Sequence, residues 1–181
     1  MKGIVFVELV EMAESLLGEA VVDDIIDSCD LPSGGAYTVV GNYPCSELMT
    51  LVQALSSHTG TSEDALQRHF GHWMHAHFAK AYPAFFTNKP DALDMLAAIE
   101  DEVHVEVRKL YPEAELPRFD VTERTGTGMC MVYRSPRPLS DFCHGLVEAC
   151  VDHFGRPAEI RRRDLDHPVD AVSEFTITYR D

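Results

Sequence analysis

The sequence has few basic residues and no long apolar run. Lys and Arg together number 15 against 30 Asp and Glu, so the formal net charge is -15. Proteins that bind nucleic acid or an anionic membrane surface use Lys and Arg to meet the phosphates, and this balance argues against both partners. A membrane span needs about 20 apolar residues, whereas the apolar segment 3–7 is followed closely by Glu8 and Glu11. We therefore expect neither a nucleic-acid-binding protein nor a membrane protein.

The sequence also lacks paired cysteine motifs. Its five cysteines are odd in number and contain no C-x-x-C pair, which is unlike a secreted disulfide framework. The start of the chain carries one Lys and no signal-peptide core. With 181 residues, of which 45% are hydrophobic, the chain has the size and composition of one globular domain. We expect a cytoplasmic protein with reduced thiols.

The spacing of the apolar residues changes about two thirds of the way along the chain. Apolar residues recur at helical spacing in the first part and alternate with polar residues in the last part. Helices followed by a four-stranded antiparallel sheet with one inserted helix predict an α+β fold. The predicted helices cover 4–17, 19–28, 46–57, a segment from about 61, 91–110 and 139–153, and the predicted strands cover 118–123, 129–134, 160–163 and 172–179.

The segment Tyr133-Arg134-Ser135-Pro136-Arg137-Pro138 ends the second predicted strand. Each proline favours an extended backbone at the residue before it, and side chains two residues apart in an extended chain point the same way. Tyr133, Ser135 and Arg137 therefore offer two hydroxyls and a guanidinium on one face, which suits an anionic ligand such as a carboxylate. A strand end with a solvated arginine explains the same spacing.

His104 is the second chemically informative residue. On a helix over 91–110 it shares a face with Leu93, Ala97 and Val107, and a histidine there is either a core residue or a ligand through one ring nitrogen. An imidazole in an apolar groove, together with a row of carboxylate-binding side chains, matches the needs of haem. Its iron takes an imidazole as proximal ligand, and its propionates take hydroxyls and a guanidinium.

Three segments resemble the H-NOX family of haem nitric oxide/oxygen-binding domains, which is related to the haem domain of soluble guanylate cyclase. They are Met1-Lys2-Gly3, Asp101-Glu102-Val103-His104 and Tyr133-x-Ser135-x-Arg137. The resemblance spans the whole chain and implies a stand-alone bacterial sensor rather than an enzyme. It implies a distal helical part over about 1–60, a proximal part over about 61–181, and haem buried between the helices and the sheet.

The resemblance also implies roles for individual residues. His104 matches the proximal ligand of iron in haem b, and Pro117 matches a proline that presses on the haem and distorts it. Tyr133, Ser135 and Arg137 match the residues that bind the propionates. Six residues match positions that line the distal pocket: Val5, Leu9, Met74, Phe78, Phe142 and Leu146.

One of these positions implies which gas is bound. Oxygen-binding members carry a distal Tyr five residues after the motif arginine, where this chain has Phe142. The positions of the supporting Trp and Asn hold Leu9 and Met74. Because these apolar side chains donate no hydrogen bond to bound O2, we expect a sensor that binds NO and CO and discriminates against O2. Trp73 and His144 stay open as alternative donors.

The family also implies how the signal leaves the domain. NO weakens the bond between iron and the proximal histidine, so release of His104 is expected to shift the N-terminal helices against the sheet and change a partner surface. The expected partner is a histidine kinase or a cyclic-di-GMP cyclase or phosphodiesterase. The alternative function is a thiol-based redox-responsive interaction module, for which Cys143 lies near the expected pocket.

The fourth predicted helix is rich in histidine. His72 and His75 are three residues apart and face one side of a helix, but no cysteine or carboxylate stands at a supporting spacing for a metal site. We therefore expect a helix that buries Phe70, Trp73 and His77 and exposes its other histidines.

Overall fold

A computed structural model describes residues 1–180, and its elements confirm the predicted α+β fold. Asp181, the last residue of the expected proximal part, lies outside the described residues. Within residues 1–180, no helix combines the length and the apolarity needed to cross a membrane. The elements are α1 (Gly3–Leu17), α2 (Glu19–Asp27), α3 (Cys45–Thr59), α4 (Glu63–Ala81), α5 (Ala84–Thr87), α6 (Ala92–Ala97), a π-helical turn (Ile99–Val103), α7 (His104–Leu110), β1 (Arg118–Arg124), β2 (Gly128–Ser135), α8 (Ser140–Phe154), β3 (Ala158–Leu165) and β4 (Ala171–Tyr179).

The four strands form one antiparallel sheet in the order β1-β2-β4-β3. The central strand β2 pairs Tyr133 with Phe119 of β1 on one side and with Ser173 of β4 on the other. Its residues alternate strictly between a buried and a half-buried face, as expected for a sheet that is covered on one side. This register places both Tyr133 and Ser135 on the buried face.

Two hydrophobic cores divide the molecule. The first is built from α1, α2, α3 and the first half of α4, and the second from α6, α8 and the inner face of the sheet. Helix α4 reaches both, because Phe70 and Met74 belong to the first core whereas Phe78 packs against each of them. Helix α8 also spans the division, with Phe142 and Leu146 against the first core.

Helices α4 and α8 cross at a pair of glycines. A Cβ atom added at Gly71 would overlap the backbone of α8 at the Phe142 oxygen, and one added at Gly145 would overlap the Arg68 oxygen of α4. The two backbones therefore touch, which only residues without a side chain permit. This crossing joins the helical part to the helix that covers the sheet.

The predicted continuous helix over 91–110 is wrong in its middle. The chain forms α6, then a π-helical turn over 99–103, then α7. In this turn the backbone N–H of Val103 donates to the Ala98 oxygen at 3.4 Å, and that of His104 donates to the Ile99 oxygen, five residues back in each case. The turn holds one extra residue compared with an α-helix, so the side chains after it are rotated relative to α6.

We predict that Gly145→Ala destabilises the fold. The added methyl group meets backbone rather than a flexible side chain, so the expected loss is about 1–3 kcal/mol of unfolding free energy, the range for overpacking. Gly126→Ala is the matched control, because a Cβ atom at Gly126 meets nothing within 4 Å. Denaturant unfolding of both variants measures the difference, and equal midpoints would contradict the close crossing.

Candidate functional site

His104 is buried at the start of α7, directly after the π-helical turn. Its Nδ1 lies 2.9 Å from the Glu100 Oε1 atom. Because a carboxylate only accepts hydrogen bonds, the proton sits on Nδ1 and the lone pair on Nε2. Burial lowers the pKa of His104, although the hydrogen bond to Glu100 acts in the opposite direction. The residue is therefore a neutral imidazole whose Nε2 is suited to bind a metal ion.

Two aromatic rings connect His104 to the buried face of the sheet. The centroid of the His104 ring is 5.8 Å from that of Phe119 on β1, which is 5.4 Å from that of Tyr133 on β2. Burial raises the pKa of the Tyr133 hydroxyl well above its usual value, so it stays protonated. The structure thus brings the predicted iron ligand and the first residue of the Y-x-S-x-R segment into one neighbourhood.

Ser135 is the last residue of β2, and Arg137 lies just beyond it. The Ser135 Oγ atom accepts a hydrogen bond from the backbone N–H of Arg137 at 3.1 Å. The Arg137 guanidinium is largely buried and donates to the backbone oxygen of Glu115 at 2.7 Å and to its carboxylate at 2.6 Å. Arg137 therefore also fastens the loop that contains Pro117 to the sheet. The spacing also allowed a solvated arginine at this position, but the structure shows that Arg137 is paired with Glu115.

The six residues expected to line the distal pocket all belong to one region. Leu9 of α1 and Met74 of α4 are buried in the first core. The Phe142 ring of α8 lies 5.0 Å from that of Phe70. Phe142 is partly buried and packs against the same core, as do the other three expected residues, Val5, Phe78 and Leu146.

A buried carboxylate ties α1 to α4 beside this region. The Trp73 Nε1–H donates to Glu8 Oε2 at 2.8 Å, and the His77 Nδ1 atom lies 2.6 Å from Glu8 Oε1. The side chain of Glu8 is only 6% exposed. The single N–H of the indole is therefore used within the protein. Sequence reasoning missed Glu8, whose only signal was a charge among the apolar residues of α1.

His144 is engaged in a second polar cluster. Its Nε2 lies 3.3 Å from an Arg68 nitrogen, and Arg68 pairs with Glu148 through both carboxylate oxygens. Burial alone would raise the pKa of Glu148, but hydrogen bonds from Arg68 and His72 lower it to about 2. Of the two alternative donors left open by the sequence, the Trp73 N–H therefore donates to Glu8, whereas His144 accepts from Arg68 through Nε2.

The histidine-rich helix α4 buries a different histidine from the one that the sequence predicts. His75 is buried, whereas His77 remains partly exposed. The reason is α5, which was not predicted: the ring of its Phe86 lies 5.2 Å from that of His75. Burial lowers the pKa of His75 to about 4. Among the described residues, no group of three or more His, Cys, Asp or Glu side chains is placed to hold a metal ion.

The donor set around His104 fits haem. It offers one neutral imidazole with a free ring nitrogen for iron, an apolar surface, and hydroxyl and guanidinium donors suited to propionates. Glu115 occupies the guanidinium in this structure, so a propionate would share or replace that carboxylate.

Comparisons with known proteins agree with this chemistry. The model of the Haem-NO-binding family matches residues 2–162. The crystal structure of the Fe(II) unliganded H-NOX protein from K. algicida is 37% identical, with a TM-score of 0.92 over 100% of this chain and 97% of that one. The solution structure of the IWP-051-bound H-NOX from Shewanella woodyi in the Fe(II)CO ligation state is 35% identical, with a TM-score of 0.83 over 99% and 95%.

A more distant comparison supports the fold alone. A mutant of the H-NOX protein from T. tengcongensis is 21% identical, with a TM-score of 0.88 over 100% of this chain and 98% of that one. No curated protein matches the chain.

We predict that Glu8→Val destabilises the protein by about 1–3 kcal/mol, because the Trp73 N–H and His77 lose their buried acceptor. Glu11→Val is the control, since Glu11 is an exposed residue of the same helix. Thermal unfolding compares the two variants. A Glu8→Val protein as stable as the Glu11→Val protein would show that the carboxylate does not hold α1 to α4.

Proposed function

Because the chain belongs to the Haem-NO-binding (H-NOX) family, we propose that it senses NO through haem b held by His104. H-NOX domains are haem-based gas-sensing domains rather than catalytic ones. The observation that carries the proposal is the state of His104. Its Nδ1 is bound to Glu100, it is buried, and its pKa is lowered by burial, so Nε2 is the nitrogen for iron.

The proposal also assigns roles to the residues expected to contact the propionates and the macrocycle. Tyr133, Ser135 and Arg137 bind the propionates, and Pro117 packs on the macrocycle from the loop that Arg137 fastens. The geometry of the Arg137–Glu115 contact supports this role, because it shows that the guanidinium takes a carboxylate at this position. The chain has no C-x-x-C pair for covalent attachment through thioethers, which favours haem b.

Haem held by His104 would supply a ferrous iron able to bind a diatomic gas. Val5, Leu9, Met74, Phe78, Phe142 and Leu146 line the gas side, and none of them has a hydrogen-bond donor in its side chain. The Trp73 N–H donates to Glu8 and is thereby withheld from the gas, and the His144 Nε2 atom accepts from Arg68. A pocket without donors favours NO and CO, and gives O2 no hydrogen-bond stabilisation.

The signal is proposed to pass between two parts of the molecule. The two hydrophobic cores support a distal part over about 1–60 and a proximal part over about 61–181, with α4 contributing to both. Movement of His104 shifts α7 and the adjoining sheet against the N-terminal helices, a switch between two packings. The family resemblance points to a histidine kinase or a cyclic-di-GMP cyclase or phosphodiesterase as partner.

The burial of Cys143 and Cys150, two of the five thiols, counts against a redox module that acts through them. Cys143 is buried, and burial raises its pKa well above the usual value; burial raises the pKa of Cys150 to about 12. The pKa of Cys45 is also raised, with burial the larger effect and Arg137 opposing it. Thiols with raised pKa values form little of the reactive thiolate.

Absorption spectra of the reduced protein without air test the haem proposal. We expect wild-type protein to bind haem and to show a Soret band that shifts on addition of NO. The His104→Gly variant should lose haem, and free imidazole should restore it by replacing the missing ligand. His69→Gly is the control, because His69 is exposed on α4. A wild-type chain that takes up no haem would overturn the proposal.

Phe142→Tyr tests the gas preference. A hydroxyl on this α8 residue adds a donor facing the gas, so the variant should give a reversible spectral change in air that wild type lacks. Phe70→Tyr serves as the control, because the Phe70 ring lies beside that of Phe142 but is not one of the six residues expected to face the gas. A wild-type protein that binds O2 as readily as Phe142→Tyr would contradict the donor-free pocket.

A further inference from the structure

The Glu100 carboxylate joins three parts of the chain. Its Oε1 atom accepts from His104 Nδ1–H at 2.9 Å and from the backbone N–H of Phe119 at 3.0 Å. Its Oε2 atom lies 3.5 Å from Arg108 Nη2. The side chain is 24% exposed, compared with 10% for His104. One carboxylate oxygen therefore links the imidazole to the first residues of β1.

The π-helical turn makes this link structurally significant. Glu100 stands inside the turn and His104 directly follows it. A π-helical turn is less favourable than an α-helical one and is common at functional sites. The hydrogen bond that Glu100 accepts from the Phe119 N–H holds the widened turn against β1, and the one that it accepts from His104 fixes the imidazole ring. The turn and the ring of His104 are thus fixed together.

The neighbouring acidic residues do not share this role. Asp101 and Glu102 are exposed, and Glu102 pairs with Lys89 at 2.5 Å. The three acidic side chains stand next to one another in sequence, but only Glu100 turns toward His104 and β1. Glu102 therefore provides a control in the same turn, with the same charge and the same chemistry of substitution.

We propose that Glu100 is a positioning residue that orients the His104 ring, makes its Nε2 a stronger donor to iron, and transmits movement of the ring to β1. This role rests on the proposed haem binding by His104. A carboxylate that accepts from the far N–H of a ligating histidine fixes the tautomer and raises the basicity of the ligand. The link continues inward, because the Phe119 ring lies between those of His104 and Tyr133.

The direct test is the iron–histidine stretching frequency of the reduced, haem-loaded protein by resonance Raman spectroscopy. Glu100→Gln keeps the shape but offers a neutral acceptor, so the frequency should fall; Glu100→Ala removes the acceptor, so it should fall further. Glu102→Gln should leave it unchanged. Haem should also dissociate on the order of 10-fold faster from Glu100→Gln than from Glu102→Gln.

A second measurement does not depend on haem. In the haem-free protein, hydrogen exchange of the Phe119 amide should be faster in Glu100→Gln than in Glu102→Gln, because a neutral acceptor holds this N–H less tightly.

The outcomes separate the two proposals. Normal haem spectra with an iron–histidine frequency that is the same in Glu100→Gln, Glu100→Ala and wild type would overturn the role of Glu100 and leave the proposed function intact. Failure of wild-type protein to bind haem would overturn both. Unchanged exchange at Phe119 would overturn the link to β1, whatever the Raman result.

Discussion

The backbone contact between α4 and α8 determines how the two hydrophobic cores of this molecule meet. Gly71 and Gly145 let the helices approach so closely that a methyl group at either position would overlap the opposite backbone. Since α4 carries Met74 and α8 carries Phe142, the same crossing brings residues of both helices to one apolar region. A looser crossing would separate that region into two surfaces. The expected gas pocket is therefore a product of helix packing rather than of a loop.

Buried and partly buried carboxylates make further connections between elements in a chain of net charge -15. Glu8 joins α1 to α4 through Trp73, 65 residues away, and Glu47 accepts from the hydroxyls of Ser33 and Tyr37, which holds the segment between α2 and α3. Glu100 joins α7 to β1 in the same manner. Each carboxylate removed from water must find donors, so each connection holds its elements in one arrangement. The acidic composition, which argues against several partners, thus also contributes to internal structure.

Periodic features of the sequence predicted more than singular ones. The prolines of the Y-x-S-x-R segment predicted an extended chain in which Tyr133 and Ser135 share a face, because a strand repeats its orientation every two residues, and the structure shows that this face is buried. The motif with His104 identified the family, and the apolar positions of the distal region came from the same resemblance. The π-helical turn was not predictable from periodicity. Its Glu100 side chain accepts a hydrogen bond from the Phe119 N–H of β1, which is distant in sequence. Glu100 stood four residues before His104, a spacing that pairs side chains on a helix, but its contact with Phe119 required the fold.

The hydrogen-bond donors near the distal region link stability to ligand choice. An indole N–H or an imidazole facing a gas pocket would stabilise a polar ligand such as bound O2. Here the indole of Trp73 satisfies Glu8, and the ring of His144 lies against Arg68. Freeing the indole N–H for a ligand would leave the buried Glu8 carboxylate without this donor, a cost of about 1–3 kcal/mol. The bond that holds α1 to α4 therefore also opposes a rearrangement that would supply the indole N–H to the gas, and selectivity under the proposed function depends in part on how the helices pack.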